Sequence, residues 1–356
     1  MIHKRLNREE SYDRLKDVLA SGRFTEKVSY NPLMLAFEIT TFCNLKCVRC
    51  ERRAIDPKHL NHHMKPETFD RLSFLFPYIR GISIVGGLGE PIIAPNFWQY
   101  VTRMKTAGVQ VLFFTNGTRL THEAIKKTFD LEVDTVAFSM DALAVSVYEK
   151  LKTGAYFNQS VDRIETFLRL RKESGAKTKL MLNCAVQKDT LEEMIPLVRF
   201  AAQKGIDNIW FTGVITHLAE QEKESHLQLS LEQLNTHFQK VANEAQRQGV
   251  AIRLPAGVLK NRQICLDLWT NLYIFYNGDI CACPHFREPK NYYYHVQNNR
   301  VINESRTMPH TVLGNAHKND VLALWDGPKQ RELRRRMLAG QPEFPCRECH
   351  FSFDLH

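Results

Sequence analysis

Long apolar runs are missing from this sequence. No stretch approaches the 18 residues that a membrane-spanning helix needs, and the charged stretch from Met1 to Ser11 lacks the apolar core of a signal peptide. Low-complexity segments and interleaved basic and aromatic residues are absent as well. We therefore expect a protein of a reducing, cytoplasmic compartment that binds neither membranes nor nucleic acids.

The composition is that of an ordinary globular protein. The 356 residues are 44% apolar and 24% charged, which suits one large core and a smaller module. A formal charge of +9 permits an acidic partner. The densest basic run lies at helical spacing and predicts a solvated helix face: Lys329, Arg331, Arg334, Arg335 and Arg336. The nine cysteines indicate metal binding rather than disulfides, because no export signal accompanies them.

Short β-branched runs alternate with amphipathic stretches, a pattern typical of βα units around a parallel sheet. The six predicted strands are residues 33–40, 81–86, 109–115, 135–140, 179–185 and 208–214. Helical patterns lie between them, for example over residues 66–78 and 191–203. We therefore predict a partial (β/α)6 barrel of the TIM type. An earlier helix over residues 8–20 either caps the barrel or forms a partner surface.

Three cysteines, Cys43, Cys47 and Cys50, directly follow the first predicted strand. At this spacing three thiolates can hold three corners of a 4Fe-4S cubane and leave the fourth iron open. The loops that follow barrel strands are where such folds carry their active sites. A zinc site would need a fourth ligand, which His62 or His63 could supply. The loop position and the residues downstream favour the cluster.

These features resemble the radical S-adenosylmethionine (SAM) superfamily, and the resemblance extends over the whole barrel. Besides the cysteines, it rests on Gly86-Gly87-Leu88-Gly89-Glu90-Pro91 after the second strand and on Thr115-Asn116-Gly117 after the third. The resemblance implies that a 4Fe-4S cluster binds SAM and cleaves it reductively to start radical chemistry. A flavodoxin or ferredoxin type of protein would donate the electron.

The resemblance also implies which residues contact SAM. They are Gly87, Gly89, Glu90, Asn116, Ser139, Asp141 and Asn183. Glycines permit close approach of the methionine moiety, and Glu90 would accept from its amino group. The polar residues at the later strand ends would serve the ribose and the carboxylate. Family members usually have an aromatic residue before the third cysteine, near the adenine; this sequence has Arg49 there.

A second cysteine group lies near the C-terminus. The spacing Cys265-x12-Gly278-x4-Cys283, followed by Cys346-x2-Cys349, resembles SPASM and twitch modules. A hairpin turn at residues 277–279, the stretch 313–315 and a helix over 321–337 agree with such modules. No cysteine follows Cys349, so we expect the shorter twitch form, in which the two pairs hold one auxiliary 4Fe-4S cluster. Cys281 could replace Cys283, and a zinc ribbon is an alternative for the group.

The predicted domains are an N-terminal helical extension (1–32), the barrel (33–229), a linker helix and strand (230–261) and a small α+β iron-sulfur domain of the twitch or SPASM type (262–356). We expect an oxidoreductase, since an auxiliary cluster with four protein ligands can accept the electron left on a substrate radical. The net reaction would be a two-electron dehydrogenation or decarboxylation of a small polar metabolite.

Two other functions are open. The alternative enzyme is a maturase that crosslinks, epimerises or forms a thioether in a ribosomal peptide, although the region before the first strand is short for a peptide-recognition domain. An epimerase would need a thiol that donates a hydrogen atom, such as Cys184. A buried strand residue is the simpler interpretation of Cys184. A non-enzymatic iron-sulfur scaffold is the third. Substrate bases or anchors could be His217, Arg253, His285, Tyr148 or Lys152, each of which also has a structural explanation.

Overall fold

The computed structural model describes residues 6–213, 229, 231–255, 264–286, 291–292, 295–297, 300–302, 306–307, 311–342 and 346. Within these ranges, no helix combines the length and the apolar character that crossing a membrane requires. Val214, His217, Cys349 and the side chain of His285, which the sequence analysis named, lie outside this description.

Strands occupy both the N-terminal and the C-terminal parts of the chain. They are β1 (Met34–Phe37), β2 (Gly81–Ile84), β3 (Gln110–Thr115), β4 (Thr135–Ser139), β5 (Lys179–Val186), β6 (Asn208–Gly213), β7 (Ala251–Arg253), β8 (Asn271–Ile274), β9 (Asp279–Cys281), β10 (Asn291–Tyr292), β11 (His295–Gln297), β12 (Arg300–Ile302), β13 (Arg306–Thr307) and β14 (Gly314–Asn315). Strands β1 to β7 pair in chain order, and every pair is parallel. The predicted partial barrel is confirmed, and β7 adds a seventh parallel strand in the region expected to be a linker.

Helices connect these strands. They are α1 (Arg8–Ser21), α2 (Pro66–Ser73), α3 (Phe97–Thr106), α4 (His122–Asp130), α5 (Val145–Leu151), α6 (Phe157–Ser174), α7 (Met194–Lys204), α8 (Leu231–Gln248), α9 (Asp267–Thr270), α10 (Val321–Trp325) and α11 (Pro328–Leu338). The single helix predicted over residues 321–337 is wrong. Gly327 adopts an extended backbone and Pro328 can only begin a helix, so the segment divides into α10 and α11.

Along each barrel strand, residues that face the surrounding helices alternate with residues that face the interior of the barrel. On β3, Val111 and Phe113 are fully buried in the core, whereas Leu112 and Phe114 line an interior cavity of about 340 Å³. On β2, Ser83 faces the same cavity. This two-residue period is the reason that apolar runs predicted the strands correctly.

The C-terminal region joins the barrel sheet directly. Strand β8 pairs in parallel with β1, on the side opposite β2, so that Met34 lies beside Asn271. The hairpin turn predicted at residues 277–279 is confirmed: it leads from β8 into antiparallel β9, and Gly278 has a φ of 85° there. Strand β14 then pairs with β9. One ten-stranded sheet therefore continues across the predicted boundary at residue 262.

Arg334 on α11 connects the C-terminal region to the rest of the molecule. Its guanidinium is fully buried and donates to the carbonyl oxygens of Leu268 (2.8 Å), Trp325 (3.0 Å) and Glu26 (3.3 Å). The prediction of a solvated basic face was therefore wrong for Arg334, because backbone acceptors from distant segments surround it.

Helix α1 lies against the segments that lead into β2 and β3. The guanidinium of Arg8 donates to the carbonyl oxygens of Phe76 (2.9 Å) and Ala107 (3.0 Å). An Asn7 and Glu10 capping box starts the helix. Helix α1 therefore lies as a cap at the N-terminal end of the barrel. A cap and a partner surface were the two alternatives that the sequence allowed for this segment.

Candidate active site

The loop with Cys43, Cys47 and Cys50 follows β1, and two neighbouring segments hold it. On one side, the amide of Met64 donates to the carbonyl of Ile39 at 2.8 Å. On the other, the last residue of α5 and the segment after it accept two backbone hydrogen bonds from the loop. The loop is therefore an ordered part of the barrel end.

The three thiols of this loop are partly buried and close enough to influence one another. Burial raises the pKa of each, and that of Cys50 to about 11. The amide group of Asn116 approaches the sulfur of Cys43 at 3.8 Å. Thiolates in such a place need a compensating positive charge, which the irons of a cluster supply. The donor set therefore fits the predicted cluster.

The glycine-rich segment after β2 packs directly on the strand that leads to the cysteines. A side chain at Gly89 would overlap the carbonyl oxygen of Thr40, and one at Gly87, whose φ is 37°, would meet the carboxylate of Glu38. The amide of Glu90 donates to the carbonyl of Phe42 at 2.8 Å. These glycines are thus required by close packing within the protein.

Glu90 is a buried carboxyl group between the cysteine loop and β3. It is 2% exposed and accepts hydrogen bonds from the Thr115 hydroxyl and from the backbone amide of Asn116, both at 2.7 Å. Burial raises its pKa to about 7. A carboxylate has about four acceptor positions, so it can also accept from an amino group of SAM.

The ends of β4 and β5 place the next predicted contacts side by side. Ser139 and Asn183 are partners in the parallel register. The side-chain oxygen of Asn183 is buried and makes no hydrogen bond to any residue that the structure describes. Because such an atom is costly to leave without a partner, it suits a hydroxyl group of a bound ligand.

Asp141 differs from these residues because the protein itself occupies both of its oxygens. One accepts from the amide of Ala185 at 2.9 Å, and the other pairs with the ammonium group of Lys152 at 3.1 Å. Cys184 beside it is fully buried and donates to the Asp141 carbonyl at 3.5 Å. These contacts support the interpretation of Cys184 as a buried strand residue. The ion pair was not expected from the sequence.

Arg49, which replaces the usual aromatic residue, is fixed from the β5 side. Its guanidinium group is mostly buried and pairs with Asp189 at 3.0 Å, and Lys150 reaches the same carboxylate at 3.3 Å. The position before Cys50 thus holds a cation whose charge the chain balances.

The auxiliary cysteines surround Tyr273 on β8. Cys265 and Cys283 are partly exposed, and burial together with Asp267 and these two sulfurs raises the pKa of the Tyr273 hydroxyl well above its usual value. Cys281 is fully buried in the core of the hairpin. This arrangement favours Cys283 over Cys281 as the ligand that accompanies Cys265. Cys346 packs against the same core.

Asp267 and Tyr273 form a polar wall that the sequence analysis missed. The carboxylate of Asp267 accepts from Asn271 at 2.8 Å and from the Tyr273 hydroxyl at 3.0 Å. These side chains line the interior cavity together with Asn183, Arg253 and apolar side chains such as Phe114. The sequence signal that could have identified this wall is Asp267 itself, a charged residue two positions after Cys265. Glu38, a carboxylate at the end of an apolar strand, was missed as well.

Comparisons with known proteins match both cysteine-containing regions of the chain. The Radical SAM superfamily model matches residues 37–183, and the SPASM iron-sulfur cluster-binding domain matches residues 265–350. The tungsten-containing aldehyde ferredoxin oxidoreductase cofactor-modifying protein of Pyrococcus furiosus is 25% identical over 297 residues, covering 82% of this chain and 80% of that protein.

Two further relatives are more distant. The mycofactocin maturase MftC of Mycolicibacterium smegmatis is 26% identical over 49% of this chain and 43% of its own length. SuiB of Streptococcus suis, solved with SAM bound, has a TM-score of 0.65 at 16% identity and covers 91% of this chain and 71% of its own.

The fold and the two cysteine groups define an iron-sulfur enzyme built on a partial parallel barrel. The chain carries a radical SAM domain over residues 37–183 and a SPASM-type module over residues 265–350. Its cofactors are SAM, the 4Fe-4S cluster that binds it, and auxiliary iron-sulfur in the C-terminal module. The individual ligands and SAM contacts stay predictions.

Proposed function

We propose that this enzyme oxidises a small polar substrate in the barrel cavity by two electrons. The observation that carries the proposal is the lining of the cavity, which includes Asn183, a predicted SAM contact, together with Asp267 and Tyr273. Tyr273 lies beside Cys265 and Cys283. A molecule in this cavity would contact the predicted SAM site and the auxiliary module together.

The bound cluster and SAM supply a 5'-deoxyadenosyl radical when one electron enters from a donor protein. The substrate would lose a hydrogen atom to that radical, and afterwards one electron together with a proton in a dehydrogenation or with carbon dioxide in a decarboxylation. Cys265 and Cys283 would hold an auxiliary cluster beside Tyr273, which would supply the acceptor for that electron. The electron donor that we propose is a flavodoxin or ferredoxin. The location that we propose for the enzyme is a reducing, cytoplasmic compartment, which preserves the thiolates.

The residues of the cavity indicate the kind of substrate. Phe114 and Trp210 form an apolar side, with ring centroids 6.4 Å apart. Arg253 lies over the Trp210 ring at 5.4 Å, and Asp267 faces the same space. A substrate with an apolar part and a charged or hydroxylated part would satisfy both sides. About 340 Å³ suits a small molecule or a single amino-acid side chain.

Modification of a peptide is the second candidate, favoured by the comparisons. MftC is described as a maturase, and SuiB has been solved with its precursor peptide SuiA. In this case one side chain of the peptide would enter the cavity, and the product would be a crosslinked, thioether-containing or epimerised peptide.

The two candidates can be separated with deuterium. Reconstituted enzyme, SAM and dithionite are incubated without oxygen with a small-metabolite fraction or a peptide fraction from deuterated cells. We expect deuterium in 5'-deoxyadenosine with the metabolite fraction, together with a product that has lost two hydrogens or a carboxyl group. Label from the peptide fraction alone establishes the second candidate, and 5'-deoxyadenosine without label from either fraction contradicts both.

A cavity variant gives the control for this experiment. Asp267→Asn keeps the shape of the side chain and lies outside the first cysteine loop. We expect it to retain the slow SAM cleavage that occurs without substrate and to lose the deuterium transfer. If transfer persists at the original rate, the cavity is not where the substrate binds.

A further inference from the structure

Lys152 lies directly opposite Cys47. The amide of Lys46 donates to the carbonyl of Thr153 at 3.0 Å, and the amide of Val48 donates to the carbonyl of Leu151 at 3.1 Å. These two bonds hold residues 46–48 alongside residues 151–153, so the backbone of Lys152 lies beside that of Cys47.

The ammonium group of Lys152 is buried, which is unusual for lysine. The residue is 6% exposed, and its only ion pair within the described part of the chain is with Asp141, at 3.1 Å. Tyr148, on the same side, is fully buried, shares a hydrogen bond of 2.7 Å with Ser160, and has a pKa raised by burial, so it stays neutral. Tyr148 therefore adds no charge to the pair of Lys152 and Asp141.

Lys150, two residues earlier, provides a contrast. Its side chain is 61% exposed and pairs with Asp189 at 3.3 Å. Water and salt screen a charge in that position, whereas a charge in a buried position acts over several ångströms with little screening. The two lysines lie two residues apart at the C-terminal end of α5, carry the same charge and differ in solvation.

A buried cation beside a cluster ligand favours the reduced form of the cluster. Reduction adds one negative charge, and the potential of an iron-sulfur cluster depends on neighbouring charges and on solvent exposure. Of the two members of the ion pair, Lys152 is the one whose backbone lies beside Cys47, whereas Asp141 follows β4 and accepts from the amide of Ala185 on β5. The positive charge of the pair therefore belongs to the residue next to the cluster ligand.

We propose that Lys152 raises the reduction potential of the SAM-binding cluster through its buried charge opposite Cys47, and that Asp141 holds the ammonium group in place. The step concerned is the transfer of one electron from the donor, flavodoxin or dithionite, into the oxidised cluster. Lys152 is a positioning residue in this reaction, since it acts through the cluster ligand. The role does not depend on the identity of the substrate.

The test is a potentiometric titration of the full-length, reconstituted enzyme without SAM, followed by electron paramagnetic resonance. We expect Lys152→Met to lower the potential, so that the ratio of reduced to oxidised cluster falls roughly tenfold at the wild-type midpoint. Lys152→Arg should stay near the wild type, and the auxiliary cluster should not shift. Lys150→Met is the matched control and should leave the potential unchanged.

Several results would overturn the proposal. One is an unchanged potential in Lys152→Met with the iron content of the wild type, and another is an equal shift in Lys150→Met. Weaker SAM binding with an unchanged SAM-free potential would mean that Lys152 holds the nucleotide instead. If Lys152→Met fails to assemble the cluster, Lys152→Gln, which can still bond Asp141, replaces it under the same criteria.

Discussion

The two cysteine groups of this enzyme are built in different ways. Cys43, Cys47 and Cys50 share one loop, which neighbouring backbone holds in place. Cys265 and Cys283 come together around Tyr273 only after β8 has joined β1 and β9 has turned back along it. The first site is thus a local feature of the chain, whereas the second is a product of tertiary structure. Removing parts of each should therefore have different consequences.

The largest effect is expected from Cys47→Ala. The loop should lose its cluster, because two thiolates do not hold a cubane, and SAM cleavage should fall below detection. The fold should persist, since backbone hydrogen bonds and the core hold the loop. Iron content should drop by about half, and the circular dichroism spectrum should match the wild type. Continued 5'-deoxyadenosine formation would contradict the ligand assignment.

In the auxiliary module, Cys283→Ala and Cys281→Ala form a matched pair on one hairpin. Cys283→Ala should lose the auxiliary iron and destabilise the region around β8. Cys281→Ala should keep the iron and cost about 1 kcal/mol, through the loss of a buried sulfur. Iron analysis and chemical denaturation measure both. The reverse result would assign Cys281 as the ligand.

Arg334→Ala tests whether tertiary contacts hold the auxiliary region. The change removes the buried donor to the carbonyl of Trp325 and one of the two donors to the carbonyl of Leu268, the other being Gln330. We expect a loss of about 3 kcal/mol in the free energy of unfolding. Arg335→Ala on the same helix removes an exposed cation and should leave stability as it is. Equal midpoints of denaturation for the two variants would refute this view.

The smallest effect concerns Glu90 and pH. Its pKa of about 7 in the folded enzyme lies above the usual value of 4.5, so the folded state binds the extra proton. Glu90 therefore contributes stability that is fully present below about pH 4.5 and is lost as the pH rises through about 7. The melting temperature of SAM-free enzyme between about pH 5.5 and pH 8 should fall less steeply in Glu90→Gln. Parallel curves would show that Glu90 is already ionised.

Much of the barrel could be predicted from the sequence because its signals are local. Apolar alternation in β3 and the cysteines after β1 each occupy fewer than ten residues. The parallel pairing of β8 with β1 joins Met34 to Asn271, and no local pattern contains that information. The burial of Arg334 and the approach of Lys152 to Cys47 have the same origin. Each depends on which distant backbone groups become neighbours.

Strand β1 has partners on both edges, β2 on one and β8 on the other. A shortened chain that ends before residue 264 would expose a row of backbone groups next to the catalytic loop, an open edge that favours aggregation. Exchanging the auxiliary module between relatives therefore requires moving β8 with its register intact. The module cannot be treated as a detachable tail in engineering.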